Sequence, residues 1–207
     1  MRDLVQIESA DRKLLDSLAA SLEEARRRSG DWLVCKLGCT QCCLGPFGIT
    51  GLDALRLSRG LTALQAKDPV RAAAVLSRAA EYVATIAPFY PGDTVTGELW
   101  DEDHLPLSMD DAPCPALDPV TGGCDLYEAR PVTCRAFGPV TRIGDDRFAA
   151  CELCYNGASD EQMAACAVDF DPDGLERQIL EDLASQGGGG MTIVAYALAA
   201  GPALVKQ

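Results

Sequence analysis

The spacing of apolar residues predicts that the first half of the chain is mainly helical. Apolar side chains recur at mostly helical intervals near the N-terminus, at Leu4, Ile7, Leu15, Leu18 and Leu22. This pattern predicts an amphipathic helix over residues 3–29, with Gly30 as its stop. Thr50 and Asp53 have the spacing of a capping box and indicate a second helix start. A third helix is predicted from Pro69, because the missing N–H of proline does no harm in a first turn.

The second half of the chain has a weaker periodicity. Residues 90–115 are acidic, contain several prolines and glycines and no Lys or Arg, and are predicted to form an irregular surface loop. Residues 138–151 predict two short strands joined by a Gly-containing turn at 144–146. Two more helices are predicted, one after Ser159 and one over 174–186.

The C-terminal region contains two further segments of distinct composition. The four glycines at 187–190 predict a linker. The stretch from Met191 to Val205 is the most apolar in the chain, but it is shorter than the roughly 20 residues of a membrane-spanning helix and contains Pro202. A docking helix or a buried strand is the expected structure, and no association with membrane is predicted.

Composition and charge exclude several functional classes. The chain has 207 residues, of which 48% are hydrophobic, so it can bury a real core. Its net charge of -13 argues against nucleic acid as a partner, because that affinity comes largely from Lys and Arg. The N-terminus lacks the apolar block of a secretory signal, so the cytoplasm is the expected location. The acidic residues between Asp93 and Asp111 predict either a solvated lid or a surface that recruits a basic protein partner.

The cysteines carry the main chemical signal. Ten occur in the chain, and a reducing compartment seldom pairs them as disulfides, so metal ligation or redox chemistry is favoured. The first group has four thiols within residues 35–43. The second group is Cys114, Cys124 and Cys134, with nine residues between neighbouring cysteines. The third group is the "CELC" motif at 151–154. The predicted metal ligands are Cys35, Cys39, Cys42, Cys43, Cys114, Cys124, Cys134, Cys151 and Cys154.

Two geometric expectations follow from the first group of cysteines. If residues 35–43 are helical, Cys35, Cys39, Cys42 and Cys43 lie on one face of a helix. Neighbouring side chains diverge, however, so Cys42 and Cys43 are expected to face different sites. The nine ligands suffice for two four-thiolate sites, and the sequence does not partition them. Cys166, in an apolar helix, is expected to be a core residue.

The second group of cysteines resembles a known family. Its "CPALDPVTGGCDLYEARPVTCRAFG" and the "CKLGCTQCC" before it are similar to the CxxCxxCC cysteine-cluster family, described as a zinc- or iron-chelating domain. The matching positions are Cys114, Pro115, Cys124, Tyr127, Arg130, Pro131, Cys134 and Arg135. A related cluster occurs in a flagellin lysine methylase. The resemblance implies metal binding and little beyond it. A redox role and a role accessory to a modifying enzyme are the functions that we consider for such a metal site.

The chemistry of the ligands narrows the choice of metal. Thiolates select zinc, copper(I) or iron-sulfur clusters, and the chain has a single histidine. An iron-sulfur cluster or zinc is therefore the predicted cofactor, with a slight preference for the cluster. Arg130 and Arg135 bracket Cys134 and are expected to donate hydrogen bonds to bound sulfur, with surface salt bridges as the alternative.

Three other functions stay open on the same residues. A structural zinc-binding interaction module would use closed four-thiolate sites. A metal-free redox switch would form disulfides within the first group. The spacing of Cys35, Cys39 and Cys42 also resembles the motif of radical S-adenosylmethionine enzymes. That alternative is less favoured, because Gln41 and Cys43 depart from the motif and the chain is too short for the barrel.

The predicted fold is mainly α with a small β-hairpin, forming an irregular, metal-stabilised helical domain. We expect three segments along the chain. Residues 1–30 form the N-terminal amphipathic helix, residues 31–156 the cysteine-cluster metal-binding domain, and residues 157–207 a C-terminal helical extension packed on it.

Overall fold

The computed structural model describes residues 2–36, 38–143, 147–171 and 173–199. The α-helices among them are α1 (Leu4–Ser29), α2 (Gly51–Lys67), α3 (Pro69–Ile86), α4 (Val132–Ala136), α5 (Asp160–Cys166), α6 (Leu175–Ser185) and α7 (Val194–Ala199). The strands are β1 (Gly48–Thr50), β2 (Thr141–Ile143), β3 (Arg147–Ala149) and β4 (Met191–Ile193). The fold is thus mainly α with a small β-hairpin, as predicted.

The chain divides into two compact units, each built from segments distant in sequence. The first unit comprises Met1–Leu37 and Thr133–Asp182, and the second comprises Gly38–Val132 and Leu183–Gln207. The second unit therefore includes both the first cysteine group, apart from Cys35, and most of the second. The three segments expected from the sequence stay a prediction.

The predicted helix starts are confirmed by their capping geometry. At α1, the Asp3 side chain accepts a hydrogen bond from the Gln6 amide at 2.8 Å, and Gly30 ends the helix with φ +50°. The same reciprocal capping box occurs at Thr50 for α2 and at Ser159 for α5. The helices that the sequence predicted are therefore formed by local signals as well as by packing.

The first unit packs α1 against α5 and contains the predicted hairpin. Strands β2 and β3 pair antiparallel, with Arg142 opposite Phe148, while the predicted turn at 144–146 lies outside the described residues. A small core of this unit contains Val140 and Tyr155 together with three cysteines. These cysteines are considered with the site below.

The second unit is built around α2, α3 and α7. Its core includes Ile49, Leu57, Val75 and Leu198, all nearly inaccessible to solvent. The sheet of this unit pairs β1 with β4, so the apolar stretch from Met191 forms a buried strand that continues into the short helix α7. The sequence predicted either a helix or a buried strand here, and the described part up to Ala199 contains a strand followed by a helix. Pro202 lies outside the described residues.

The acidic segment at 90–115 is irregular but anchored. The carbonyl of Gly97 accepts hydrogen bonds from the hydroxyl of Tyr90 at 2.9 Å and from Thr192 at 2.6 Å. Leu99 is buried, and its amide donates to the Met191 carbonyl at 2.8 Å. One side of this segment therefore belongs to the core of the second unit.

Two of the four glycines before β4, Gly188 and Gly190, approach the start of α2 closely and are not part of a free linker. Gly51 donates its amide to the Gly190 carbonyl at 3.0 Å. A Cβ on Gly51 would lie 2.4 Å from the Gly188 carbonyl oxygen, so the backbones approach too closely for any side chain there. The prediction of a linker at 187–190 misses this packing, because composition does not report close backbone approach.

A buried ion pair ties α2 to the segment that precedes α4. The Asp53 carboxylate accepts hydrogen bonds from the Arg56 guanidinium at 2.5 Å and from the Val132 amide at 2.9 Å. Asp53 and Arg56 are 1% and 4% exposed, so neither charge is compensated by water. The Asp53 carboxylate thus serves both as part of the helix cap and as the anchor for the chain after Pro131.

None of the helices in the described part of the chain combines the length and the apolarity needed to cross a membrane.

We predict that Asp53→Ala lowers the free energy of unfolding by about 3–5 kcal/mol, because it leaves the Arg56 charge buried and without this partner. Chemical denaturation followed by circular dichroism measures the change. Glu23→Gln is the control, since it removes an exposed ion pair with Arg26 at 3.9 Å and should leave stability near that of the wild type. Equal stability of the two variants would contradict the prediction.

Candidate metal centre

The two units divide the ten cysteines into two sets of five. The first unit contains Cys35, Cys134, Cys151, Cys154 and Cys166, and the second contains Cys39, Cys42, Cys43, Cys114 and Cys124. None of the ten forms a disulfide. The fold thus assigns five cysteines to each unit, and the division of ligands between metal sites stays a prediction.

The expectation of one helical face across the first cysteine group is wrong. Cys35 lies in the first unit, whereas Cys39, Cys42 and Cys43 lie in the second. Among the described residues of 35–43, Gln41–Cys43 is the helical part, and it forms a single 3₁₀ turn. The spacing i, i+4, i+7 and i+8 therefore does not produce a stripe of thiols.

A short backbone ribbon joins the first cysteine group to the second. The Cys114 amide donates to the Cys43 carbonyl at 2.7 Å, and the Gly45 amide donates to the Ala112 carbonyl at 2.9 Å. Leu44 and Pro113 form the antiparallel bridge between these two bonds. This pairing fixes Cys43 beside Cys114, although 70 positions separate them in sequence.

A turn built on Asp118 explains the spacing between Cys114 and Cys124. The Asp118 carboxylate accepts hydrogen bonds from the Val120 amide at 2.9 Å and the Thr121 hydroxyl at 2.7 Å. Leu117 pairs with Cys124 in an antiparallel bridge. The chain therefore reverses between the two cysteines and brings them to the same end of a small loop.

The thiols of Cys42 and Cys43 lie close enough to shift each other's pKa, although neighbouring side chains were expected to face different sites. Interaction with the Cys43 thiol lowers the pKa of Cys42, and the same interaction raises the pKa of Cys43. Charge on the nearby Cys114 and Cys124 raises the pKa of Cys43 further. Four sulfur atoms from three segments therefore interact electrostatically.

Backbone amides favour the ionised form of the sulfurs of the second group. The amides of Ala116 and Leu117 lower the pKa of Cys114, and that of Leu126 lowers the pKa of Cys124. Burial outweighs the effect of the amides on Cys114 and raises the pKa of its thiol to about 12. A thiol whose ionisation is opposed by burial is a group that a bound metal would stabilise as thiolate.

Arg130 supplies positive charge beside this set. Its guanidinium lies 3.5 Å from the centroid of the Tyr127 ring, and its Nε donates to the Tyr127 carbonyl at 2.9 Å. From that position its charge lowers the pKa of both Cys42 and Cys124. Arg135, the other arginine singled out from the sequence, lies in α4 and belongs to the first unit.

An arginine on α3 supports both cysteines of the second group, and the sequence did not indicate it. Arg78 donates to the Pro115 carbonyl at 2.8 Å and to the Asp125 carboxylate at 2.6 Å. Arg71 forms a second ion pair with Asp125, whose side chain is 1% exposed. Arg78 therefore fixes the residues that directly follow Cys114 and Cys124. The one signal for this contact in the sequence was Asp125, an acidic residue directly after Cys124.

Three thiols of the first unit are buried in one small core. Cys151, Cys154 and Cys166 are 4%, 6% and 5% exposed and pack with Val140 and Tyr155. The Cys166 thiol donates to the Arg28 carbonyl at 3.5 Å, which agrees with the expected core position. Cys151 and Cys154 stand at the two ends of a tight turn closed by a 2.8 Å backbone hydrogen bond.

The residue after this turn has an unusual backbone. Tyr155 has a positive φ of +55°, and no other non-glycine residue in the described part of the chain has a positive φ. Its amide donates to the Trp32 carbonyl at 3.0 Å, and its hydroxyl hydrogen-bonds the buried Ser29 hydroxyl at 2.6 Å. These contacts hold the left-handed conformation that follows the Cys151–Cys154 turn.

The remaining cysteines of the first unit flank that core. Cys35 is exposed, and its sulfur lies against Gly138, where a Cβ would approach it to 2.6 Å. Cys134 lies on α4 and is half-buried. Gly138, with φ +121°, therefore leaves the space that the Cys35 side chain occupies.

The thiols are grouped but do not form a finished coordination sphere. Among the described residues, no three side chains of Cys, His, Asp or Glu are already arranged to hold a metal ion. Rotation about the single side-chain torsion of cysteine moves its sulfur without moving the backbone. The chemistry of the donors in the second unit fits a thiophilic metal, and its loading would require such rotations.

Comparison with known proteins identifies a family. The family model described as "CxxCxxCC: Putative zinc- or iron-chelating domain" matches residues 34–154, more than half of the chain. The match includes all nine predicted ligands and leaves Cys166 outside. No curated protein and no solved structure matches the chain. Metal binding in general is therefore supported by the family as well as by the grouping of the thiols.

We predict that Arg78→Met weakens metal binding by about tenfold, because the residues after Cys114 and Cys124 lose their shared anchor. Competition with a chromogenic chelator measures the affinity. Arg71→Met is the matched control, since Arg71 is more exposed and has no bond to the Pro115 carbonyl among those described, and its effect should be smaller. An Arg78→Met protein with unchanged affinity would refute this role of Arg78.

Proposed function

The chain belongs to the CxxCxxCC family of zinc- or iron-chelating domains, and from that membership we propose that it holds one zinc or iron ion on four thiolates of the second unit. The proposed ligands are Cys42, Cys43, Cys114 and Cys124. The observation that carries this proposal is the backbone pairing of Cys43 with Cys114 and of Leu117 with Cys124, which brings the three segments that hold these cysteines together. Cys39 belongs to the same unit and is the fifth thiol available to the site.

The contact between neighbouring thiols favours a single ion over a cluster. In a tetrahedral site with metal–sulfur bonds of about 2.3 Å, two ligand sulfurs lie about 3.8 Å apart. Cys42 and Cys43 lie close enough to shift each other's pKa, which is compatible with that separation. A four-iron cluster binds each thiolate through a different iron and holds the sulfurs farther apart. The iron-sulfur cluster that the sequence favoured is thus the second candidate.

The surroundings of the four sulfurs suit a site with excess negative charge. Four thiolates on a divalent ion leave a net charge of about -2, because each thiolate carries one negative charge. Arg130 acts on two of these sulfurs, and amides from Ala116, Leu117 and Leu126 are directed at Cys114 and Cys124. Charge and hydrogen bonds of this kind stabilise metal-bound thiolate and set its orientation.

A second site in the first unit is part of the same proposal. Its ligands would be Cys35, Cys134, Cys151 and Cys154. Support comes from the tight turn between Cys151 and Cys154, which has the C-x₂-C spacing of metal-binding loops, and from the left-handed residue that follows it. Cys166 is left as a core thiol, because it hydrogen-bonds a helix carbonyl and lies beyond the family match.

The role we propose for the metal is structural. Four protein ligands leave no open coordination position for a substrate, and metal held by a folded site adds its binding free energy to folding. Thiols that form no disulfides are suited to a reducing compartment, and we propose the cytoplasm. A redox role, a role beside a modifying enzyme, and recruitment of a basic protein by the acidic segment stay predictions.

We predict that protein purified without oxygen contains two metal ions and no acid-labile sulfide. Elemental analysis and a sulfide assay measure both quantities. Cys114→Ser and Cys151→Ser should each remove about one metal equivalent, from the second and the first unit respectively. Cys166→Ser is the matched control and should retain both.

Two results would contradict parts of this proposal. Stoichiometric iron and sulfide in the purified protein would show that the site holds an iron-sulfur cluster and not a single ion. Full metal content in Cys114→Ser would remove the assignment of ligands in the second unit.

A further inference from the structure

Two tyrosine hydroxyls are buried without a hydrogen-bond partner in the described part of the chain. They belong to Tyr82 on α3 and to Tyr196 on α7, and both side chains are more than nine-tenths buried. Tyrosine hydroxyls in protein interiors usually find a partner, because burial removes the water that would otherwise satisfy them. An unsatisfied hydroxyl therefore raises the question of what it binds in the functional state.

The surroundings of Tyr82 suggest the answer. Tyr82 and Cys114 line the same small cavity, together with apolar or small residues such as Phe47, Pro115 and Ile193. Burial raises the pKa of Tyr82, and the charges of Cys114 and Asp110 add to the rise, but of these two residues only Cys114 lines the cavity. The residues lining this cavity offer the hydroxyl few polar side-chain groups, and the sulfur of Cys114 is one of them.

We propose that Tyr82 is a positioning residue whose hydroxyl donates a hydrogen bond to the metal-bound thiolate of Cys114. This inference rests on the proposed function, because it needs Cys114 to be ionised. A neutral thiol is a weak acceptor, whereas a thiolate is a charged one, so metal loading creates the partner that Tyr82 lacks. The phenol keeps its proton at neutral pH, and the hydrogen bond involves no proton transfer.

A hydrogen bond to the Cys114 thiolate would change the energy of light absorption by the metal site. A hydrogen bond to a thiolate withdraws electron density from sulfur and stabilises its lone pairs. Cobalt(II), which replaces zinc in four-thiolate sites, reports this change as thiolate-to-cobalt absorption at higher energy. Removing the hydroxyl should therefore move that absorption to longer wavelength, and loss of packing alone would not do so. Phenylalanine keeps the ring, so the cavity keeps its shape.

Tyr196 offers a matched control within the same unit. Its hydroxyl is also buried and without a partner in the described part of the chain, but its ring packs on Tyr90, with 4.6 Å between centroids. The charge that acts on it is that of Asp93, and no cysteine contributes. Tyr196→Phe thus removes a hydroxyl of equal burial that has no sulfur to bind.

The experiment loads the full chain with cobalt(II) under anaerobic conditions and compares Tyr82→Phe with Tyr196→Phe. We expect Tyr82→Phe to shift the thiolate-to-cobalt band to longer wavelength and to weaken cobalt binding by about tenfold. Tyr196→Phe should leave both quantities at their wild-type values.

The outcomes separate this inference from the proposed function. An unshifted band in Tyr82→Phe, beside a normal wild-type spectrum, would overturn the role of Tyr82 and leave the metal site intact. Equal shifts in Tyr82→Phe and Tyr196→Phe would also overturn it. A wild-type chain without thiolate-to-cobalt absorption would overturn the proposed site and, with it, this inference.

Discussion

The backbone hydrogen bond between Cys43 and Cys114 is the contact on which the candidate centre depends. It is the point where the segment of the first cysteine group meets that of the second, and Gly45 and Ala112 repeat the pairing two residues away. Because these backbones are fixed, the sulfurs of the two cysteine groups lie in one region of the second unit. Their mutual repulsion when ionised then becomes a constraint that protons or a cation must relieve. The fold therefore brings together thiols that a bound cation would stabilise in their ionised form.

Two buried carboxylates fix this arrangement from outside the set of thiols. Asp53 holds the amide of Val132 after the Arg-Pro motif, and Asp125 receives Arg71 and Arg78 from α3. Both carboxylates are nearly inaccessible, and both pair with arginine. Each therefore joins a helix of the second unit to a loop that carries cysteines. These ion pairs give the loops a geometry that their short, irregular sequences would not maintain alone.

Much of the fold was predictable, because the helices begin at strong local signals. Asp3, Thr50 and Ser159 cap the helices that the sequence predicted, and the hairpin strands β2 and β3 formed where alternation and turn residues indicated. The pairing of β1 with β4 was not predictable. It joins Gly48–Thr50 to Met191–Ile193, and strands of three residues carry too little pattern to identify a distant partner. The same limit applies to the bridge from Leu44 to Pro113.

The candidate site was predictable in its residue types but not in its grouping. Spacing indicated thiolate chemistry, whereas the division of Cys35 from Cys39 depends on which distant segments each packs with. Cys42 and Cys43 show the same point on a smaller scale, since the sequence was considered in helix or strand geometry and the chain forms a 3₁₀ turn at these residues. Arg78 and Tyr82 were missed because a helix face seen from sequence does not say which loop it contacts.

The turn centred on Asp118 has a consequence for how such domains vary. The two cysteines that it connects are placed by pairing at the base of the loop, where Leu117 meets Cys124, and the residues at its tip are largely exposed. Insertions at Val120 would lengthen the tip, whereas the bridge between Leu117 and Cys124 at the base would be retained. A fixed count between these cysteines is thus a poor criterion for recognising relatives, and the tip is a natural place to graft a tag or a fluorescent label.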